Sequence, residues 1–307
     1  MTPGHNSGPW PAFENRGNFM TTETIGFIGL GAMGGPIATN LVRGGVDVIV
    51  YDAAGTAARA PQGARIAGST AEVAAAADTI LLSLPDGAVV KAVAAEIVQT
   101  NDRRAGTVVD TSTIGISASQ DVHAMFEEID VDFADAPVSG GVGGARAATI
   151  SLMFAGREST LERLRPVFEK MSGNVFQIGN TPGQGQAMKI ANNFLSGTAM
   201  AATAEAVAFG TAQGLDMQLM LDVFNVSSGQ NTATRDKYPQ QVVTGKYTAG
   251  FRNTQMLKDC SLYLESVREA ASAEALGAMV TGLWEQHSAA EPDADISRIY
   301  PFFKGES

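Results

Sequence analysis

One segment constrains this chain more than any other. Thr24-Ile25-Gly26-Phe27-Ile28 is an apolar run that enters a Gly29-Leu30-Gly31-Ala32-Met33-Gly34 turn and passes directly into residues of helical character. In a Gly-x-Gly-x-x-Gly turn the first glycine permits the tight exit from a strand and the second lets a pyrophosphate approach the backbone. The third lets the helix pack on the strand, and the helix amino terminus then offers N–H groups to phosphate. Glycine turns also occur in α/β folds that bind no nucleotide, so the spacing alone leaves a nucleotide site and a packing turn equally open. The next strand, Asp47-Val48-Ile49-Val50-Tyr51-Asp52, finishes on a carboxylate where dinucleotide folds place their ribose ligand. A carboxylate there accepts hydrogen bonds from an adenosine 2′-hydroxyl and repels a 2′-phosphate, which favours NAD over NADP. The other reading of Asp52 is a loop cap, and Arg59 lies too far along the chain for spacing to give it a phosphate role.

Beyond the turn, short apolar strands alternate with helical stretches. Strands are expected at Thr24–Gly29, Asp47–Tyr51, Thr79–Ser83, Thr107–Asp110, Asp132–Ala136 and Ile150–Ala155. Helices are expected near Gly34–Gly44, Ala71–Ala77, Ala88–Val98, Ile116–Ile129 and Ser159–Met171. Repeated βαβ units give an α/β fold, a doubly wound Rossmann domain over residues 23–184 whose ligand sits at the carboxyl ends of its strands. From Gly183 onward the strand pattern stops. Apolar residues then recur at helical spacing over Gly185–Gly214, Met217–Ser227, Asn253–Glu269 and Ala273–Gln286, which predicts an all-α domain over residues 185–307. Its first helix is long enough to join the two domains as a spine. At 307 residues and 45% hydrophobic content the chain can fill two cores, and 17% charged residues suit helices packed on a sheet rather than disorder.

The same composition excludes several classes. A net charge of -11 argues against nucleic acid, whose binding needs a basic stripe. Cys260 is the only cysteine, and His5, His123 and His287 are scattered, so no internal disulfide and no cysteine- or histidine-rich metal site is expected. Ile25–Val42 is strongly apolar, but its glycines and Pro36 fit strand, turn and helix better than a membrane span. Residues 1–22 are rich in Pro, Gly and Asn and read as a flexible tail, with Met20 an alternative initiator. They lack a basic n-region and an apolar h-region, so a cytoplasmic protein is expected.

Further candidates stand at later strand ends. Ser83-Leu84-Pro85-Asp86 and Asp110-Thr111-Ser112-Thr113 follow apolar strands and face the ligand crevice, with Thr113 the better nicotinamide-side residue; for Leu84 and Pro85 an ordinary turn is the equal alternative. Asp135-Ala136-Pro137-Val138-Ser139-Gly140-Gly141-Val142-Gly143-Gly144-Ala145 is glycine-rich but lacks phosphate-loop spacing. Ser139 offers a hydroxyl, and Gly140 and Gly141 offer backbone N–H groups suited to a carboxylate; the alternative is a flexible interdomain turn. In Gly183-Gln184-Gly185-Gln186-Ala187-Met188-Lys189-Ile190-Ala191-Asn192-Asn193, Lys189 and Asn193 share a helix face within apolar surroundings. Desolvation there lowers a lysine's pKa toward the range of a general acid or base, although a snorkelling lysine fits the isolated pattern as well. Lys258-Asp259 is a late charged pair, either a solvated face or a lysine crossing to cofactor or substrate, with Asp259 holding neighbouring groups.

Four motifs thus stand in order: GFIGLGAMGGPIATNLVRGG at Gly26–Gly45, DAPVSGGVGGARAATI at Asp135–Ile150, GQGQAMKIANN at Gly183–Asn193 and FRNTQMLKD at Phe251–Asp259. Together they resemble the 3-hydroxyisobutyrate dehydrogenase branch of the β-hydroxyacid dehydrogenases, relatives of 6-phosphogluconate dehydrogenase. The resemblance implies Lys189 as general base in alcohol oxidation and general acid in the reverse reduction. It implies Ser139, Gly140 and Gly141 on a substrate carboxylate, Asn193 on substrate beside Lys189, and Thr113 and Lys258 near the cofactor. The Tyr51-Asp52 ending resembles NAD-preferring members, where NADP-preferring relatives commonly carry an Asn-Arg pair. One departure is Ala147-Ala148-Thr149-Ile150, which has alanine where the family has glycine. The expected function is hydride transfer between NAD and a short β-hydroxy acid such as 3-hydroxyisobutyrate. Tartronate semialdehyde reductase or another sugar-acid dehydrogenase is the alternative, and a non-catalytic cofactor-binding module would have no use for Lys189 and Asn193. A homo-oligomer, dimer or tetramer, is expected from the long apolar helices, and Asn231, Arg235 and Lys237 are expected to line the distal pocket.

Overall fold

The computed structural model describes residues 23–306; the expected tail over residues 1–22, with Met20, lies outside them. The strands are β1 (Thr24–Ile28), β2 (Asp47–Tyr51), β3 (Arg65–Ile66), β4 (Thr79–Leu82), β5 (Thr107–Asp110), β6 (Asp132–Asp135), β7 (Val138–Ser139), β8 (Ile150–Ala155) and β9 (Ser172–Gly179). Successive side chains of a strand point to opposite faces, and here both faces are apolar. Ile25 and Phe27 of β1 enter one core while Ile28 enters the other, and Val48 and Val50 of β2 oppose Ile49. Leu81 of β4 likewise opposes Ile80 and Leu82. Such strands belong in a sheet covered on both sides.

The covering helices are α1 (Gly34–Arg43), α2 (Thr70–Ala76), α3 (Gly87–Gln99), α4 (Ile116–Glu127), α5 (Gly141–Ala147) and α6 (Glu158–Met171). Ile37 and Leu41 of α1, with Leu164 and Phe168 of α6, fill the first core; Val73 of α2, Val90 and Ile97 of α3, and Val122 and Phe126 of α4 fill the second. Side-chain oxygens start two of these helices: Ser69 accepts from the Glu72 N–H ahead of α2, and Asp86 from the Val89 N–H ahead of α3. The sheet runs β3-β2-β1-β4-β5-β6-β8-β7, with β9 also on β8. Its first six strands are mutually parallel, β8 is antiparallel to β6 and β7, and β9 is parallel to β8. The doubly wound Rossmann expectation therefore holds, with an added edge that the sequence does not announce.

That edge explains the missed elements. β9 carries mostly exposed or half-exposed residues in no apolar alternation, and its order comes from backbone pairing to β8. The glycine-rich stretch after Ser139, read as a loop, forms α5 despite three glycines of poor helix propensity. Tertiary contacts hold it: Ala145 is fully buried in the first core, and Asn40 of α1 donates to the Ala145 carbonyl at 2.6 Å.

The second domain is helical, with α7 (Gln184–Ala212), α8 (Met217–Asn225), a π-helix (Ala233–Val242), α9 (Asn253–Glu269), α10 (Ala275–Ala290), a 3-10 turn (Ile296–Arg298) and α11 (Ile299–Phe303). Its core joins Met200, Ala204 and Val207 of α7 to Met256 and Cys260 of α9, Trp284 of α10, Tyr238 of the π-helix and Tyr300 of α11. Long α7 also packs on β6, β8, β9 and α4, so it is the structural link between domains. Among the described residues, no helix is long and apolar enough to cross a membrane.

Candidate active site

The glycine turn is closed at two positions and open at the middle one. Gly29 has φ +99°, and a Cβ there would collide with the Ser83 carbonyl; a Cβ on Gly34 would collide with the Gly29 carbonyl. A Cβ on Gly31 would meet nothing within 4 Å, and Gly31 and Ala32 are exposed. α1 begins here with no side-chain cap and no acidic residue in its first turn. Tight packing on the protein side and free space on the solvent side suit a pyrophosphate laid over the backbone. The Leu30 N–H donates to Asp52 Oδ2 at 2.6 Å, and the Ala54 N–H to Asp52 Oδ1 at 2.8 Å. Asp52 is thereby anchored to the turn, with lone pairs left for ribose hydroxyls. Residues Gly29 to Gly34 and Asp52 thus form one cradle that fits a dinucleotide.

The neighbouring strand-end loops are tied to each other and to the helical domain. The Leu84 N–H donates to Ser112 Oγ at 2.8 Å. Lys258, on α9, crosses the cleft and donates to the carbonyls of Thr113 at 2.7 Å and Pro85 at 3.4 Å. Gln186, fully buried on α7, accepts from the N–H groups of Ile114 and Gly115 at 2.9 and 3.2 Å and donates to the Ser112 carbonyl at 3.0 Å. Asp135, at the end of β6, accepts from the N–H groups of Gly183 and Gln186, both at 2.7 Å, and so fixes the start of α7. Asp110 lies opposite it in register on β5. Burial pushes the Asp110 carboxyl up to about 6 and that of Asp135 to about 7, with the Asp110 charge adding to the latter and hydrogen bonds opposing both.

Three residues after Gln186, Lys189 is only 7% exposed. Its ammonium donates to Asn193 Oδ1 at 2.9 Å, and Asn193 Nδ2 donates to Asp259 Oδ2 at 2.6 Å. Asp259 is buried, and its other oxygen lies 3.2 Å from Lys258 Nζ. On the opposite side Asn192 Nδ2 donates to Asn193 Oδ1 at 3.1 Å and Ser139 Oγ at 3.3 Å. Burial holds the Lys189 ammonium down at about 8; Asp259 pulls it up and Lys258 pushes it further down. Gly140 and Gly141, both exposed with φ +133° and +63°, stand at the start of α5 beside Ser139. One chain of polar contacts therefore runs from the cofactor-side loops through Lys258, Asp259, Asn193 and Asn192 to Ser139, with Lys189 at its centre.

Two of the three residues expected at the distal pocket, Asn231 and Arg235, have local partners. Asn231 bonds Thr203 and accepts from the N–H groups of Ala233 and Thr234, where it shapes the start of the π-helix. Thr203 stands about 21 Å along α7 from Lys189, at a rise of about 1.5 Å per residue. Arg235 is exposed and pairs with its neighbour Asp236. In the other direction Gln186, Asn192, Asp135 and Arg59, given no role from the sequence, all touch the site. The signal for Gln186 is helical spacing: with Lys189 and Asn193 it makes a polar stripe at i, i+3 and i+7, buried where such a stripe is normally apolar.

A family model for the NAD binding domain of 6-phosphogluconate dehydrogenase matches residues 24–179. One for the NAD-binding of NADP-dependent 3-hydroxyisobutyrate dehydrogenase matches residues 183–303. The 2-(hydroxymethyl)glutarate dehydrogenase of Eubacterium barkeri is 37% identical over 265 residues, 85% of this chain and 88% of that one. The 3-hydroxyisobutyrate dehydrogenase of Pseudomonas aeruginosa is 36% identical over 295 residues, 92% of this chain and 99% of that one. The solved structure of Mycobacterium tuberculosis 3-hydroxyisobutyrate dehydrogenase with L-serine superposes with a TM-score of 0.85 at 34% identity, covering 92% of this chain and 100% of that chain.

Proposed function

This chain belongs to the 3-hydroxyisobutyrate dehydrogenase-like family of β-hydroxyacid dehydrogenases, and on that footing we propose that it oxidises a short β-hydroxy acid with NAD, using Lys189 as general base. The compounds named with its relatives, 3-hydroxyisobutyrate, 2-(hydroxymethyl)glutarate and L-serine, share one skeleton: a carboxylate whose adjacent carbon bears a hydroxymethyl group. The substrate class is therefore a 2-substituted 3-hydroxypropanoate. The observation that carries this reading is Lys189, buried, held by Asn193 and lying between the cofactor-side loops and Ser139.

In this mechanism the Ser139 hydroxyl and the N–H groups of Gly140 and Gly141 bind the substrate carboxylate, and Asn193 holds the substrate alcohol beside Lys189. The neutral amine of Lys189 removes the hydroxyl proton, and in the reverse direction its ammonium returns one to the carbonyl oxygen. A bound nicotinamide supplies the hydride acceptor at C4. Gly29, Leu30, Gly31, Ala32, Met33, Gly34 and Asp52 hold the dinucleotide, and Leu84, Pro85 and Thr113 bound its reactive end, with Lys258 fastening the last two. Because the amine must be neutral for oxidation, kcat/KM for oxidation rises as pH passes through about 8 and that for reduction falls.

Lys189→Ala tests the assignment, since loss of a general acid/base lowers turnover by about 10²–10⁴. The expected result is that loss with NADH binding retained, on a panel of three- to six-carbon hydroxy acids and semialdehydes. Turnover within about tenfold of the parent would overturn it. The reading extends to assembly: a small carboxylate is the partner, neither nucleic acid nor membrane is, and the chain works as a homo-oligomer.

A further inference from the structure

The NAD reading rests on Asp52, but the structure shows a second charge beside it. Thr56 Oγ accepts from the Asp52 N–H at 3.0 Å and donates to the Asp52 carbonyl at 3.2 Å, which winds the loop after β2 into a compact turn. The Arg59 N–H then bonds the Thr56 carbonyl at 3.0 Å. This local winding, invisible to linear spacing, brings Arg59 back to the strand end, with a guanidinium nitrogen 3.7 Å from Asp52 Oδ2.

The distance gives an ion pair rather than a hydrogen bond. Among the described residues Asp52 is the sole ion-pair partner of Arg59, and no side-chain hydrogen bond of Arg59 is made. Asp52 is 10% exposed and already held by Leu30 and Ala54, whereas Arg59 is 42% exposed. The rim between them is Ala53, Ala54, Gly55, Ala57 and Ala58, all exposed and too small to fill the space. A guanidinium with uncommitted donors, 42% exposed and beside the ribose carboxylate, has the chemistry of a phosphate ligand.

We propose, resting on the dinucleotide reading above, that Arg59 is a second determinant of cofactor choice: it is a latent ligand for an adenosine 2′-phosphate, so that preference for NAD depends on the single charge of Asp52. With a 2′-hydroxyl bound, Asp52 accepts and Arg59 contributes little. With a 2′-phosphate bound, Asp52 repels it while Arg59 attracts it, so Arg59 offsets part of the discrimination that Asp52 sets. Arg59 is half-exposed, so its attraction also weakens as salt rises.

The test measures dissociation constants of NADH and NADPH by cofactor fluorescence for the parent, Arg59→Ala, Asp52→Asn and the double variant. Adenosine 2′,5′-bisphosphate and 5′-AMP are titrated as competitors to isolate the 2′-phosphate. Arg59→Ala is expected to weaken NADPH and the bisphosphate about tenfold while NADH and 5′-AMP stay within about threefold. Asp52→Asn is expected to tighten NADPH at least about tenfold, and adding Arg59→Ala to remove most of that gain. Arg59→Lys should restore part of it. Equal weakening of NADH and NADPH, or a bisphosphate affinity unchanged within about twofold by Arg59→Ala, overturns the proposal. Arg59 is exposed, so the single-variant competitor titration decides the matter even if Asp52→Asn fails to fold. A parent that already binds NADPH more tightly than NADH refutes the NAD reading instead, and the Arg59 effect is still read from the same titrations.

Discussion

At Lys189 three influences compete, and their signs are separable by single substitutions. Burial and Lys258 favour the neutral amine, while Asp259 favours the ammonium. Asp259→Asn keeps an oxygen that can accept from Asn193 Nδ2 but removes the negative charge. The Lys189 pKa then falls below about 8, and the rising limb of kcat/KM for oxidation moves to lower pH. A pH profile of the variant checks this, and a limb that stays in place or moves upward would show that Asp259 does not set the base. Residue type and spacing marked the position of Lys189 but not its role. A lone lysine in an apolar helix with an asparagine four residues on leaves a snorkelling lysine and a general acid or base both open, and only the resemblance across four motifs favours the second. Helical spacing marks the position of Gln186, but its role and that of Arg59 were not legible, because they come from backbone groups and a turn that meet only in three dimensions.

Element by element, the outcome depended on whether a segment's order comes from its own side chains. β2, β5 and β8 bury alternate residues on both faces, and the bounds read from the sequence are those observed. β9 and α5 take their order from neighbours, so their residues carry little signal of it. At the end of α5 the alanine that stands in place of the family's glycine is Ala148, and it adopts φ +54° and ψ 36°. The helix thus keeps its left-handed exit with a residue for which that conformation is strained. Ala148→Gly should stabilise the protein by about 0.5–1 kcal/mol, a rise of about 1–4 °C in Tm, without altering NADH binding. Calorimetry checks it, and an unchanged or lower Tm would mean that the strain is relieved elsewhere.

For the molecule as a whole, two buried cores on one sheet and a third in the helices account for the two-domain reading of hydrophobic pattern. Quaternary structure is an expectation from the sequence, because an exposed face does not name its partner. Met188, Leu195 and Phe209 on α7, Leu219 and Val223 on α8, and Leu276 and Met279 on α10 are all more than two-fifths exposed. Such residues fit a surface covered by a second copy. Light scattering on the eluting protein should show a dimer or larger species, and Leu195→Glu with Phe209→Glu should shift it toward monomer. A parent that elutes as monomer at micromolar concentration would refute the oligomer. Consecutive residues on α9 give the two domains a shared point of control. Lys258 grips the strand-end loops at Pro85 and Thr113, and Asp259 grips Asn193, which holds Lys189. A wedge driven into the cleft far from either reactant would thus disarm both halves of the reaction together, so a molecule that only pries the layers apart should inhibit without resembling substrate or cofactor.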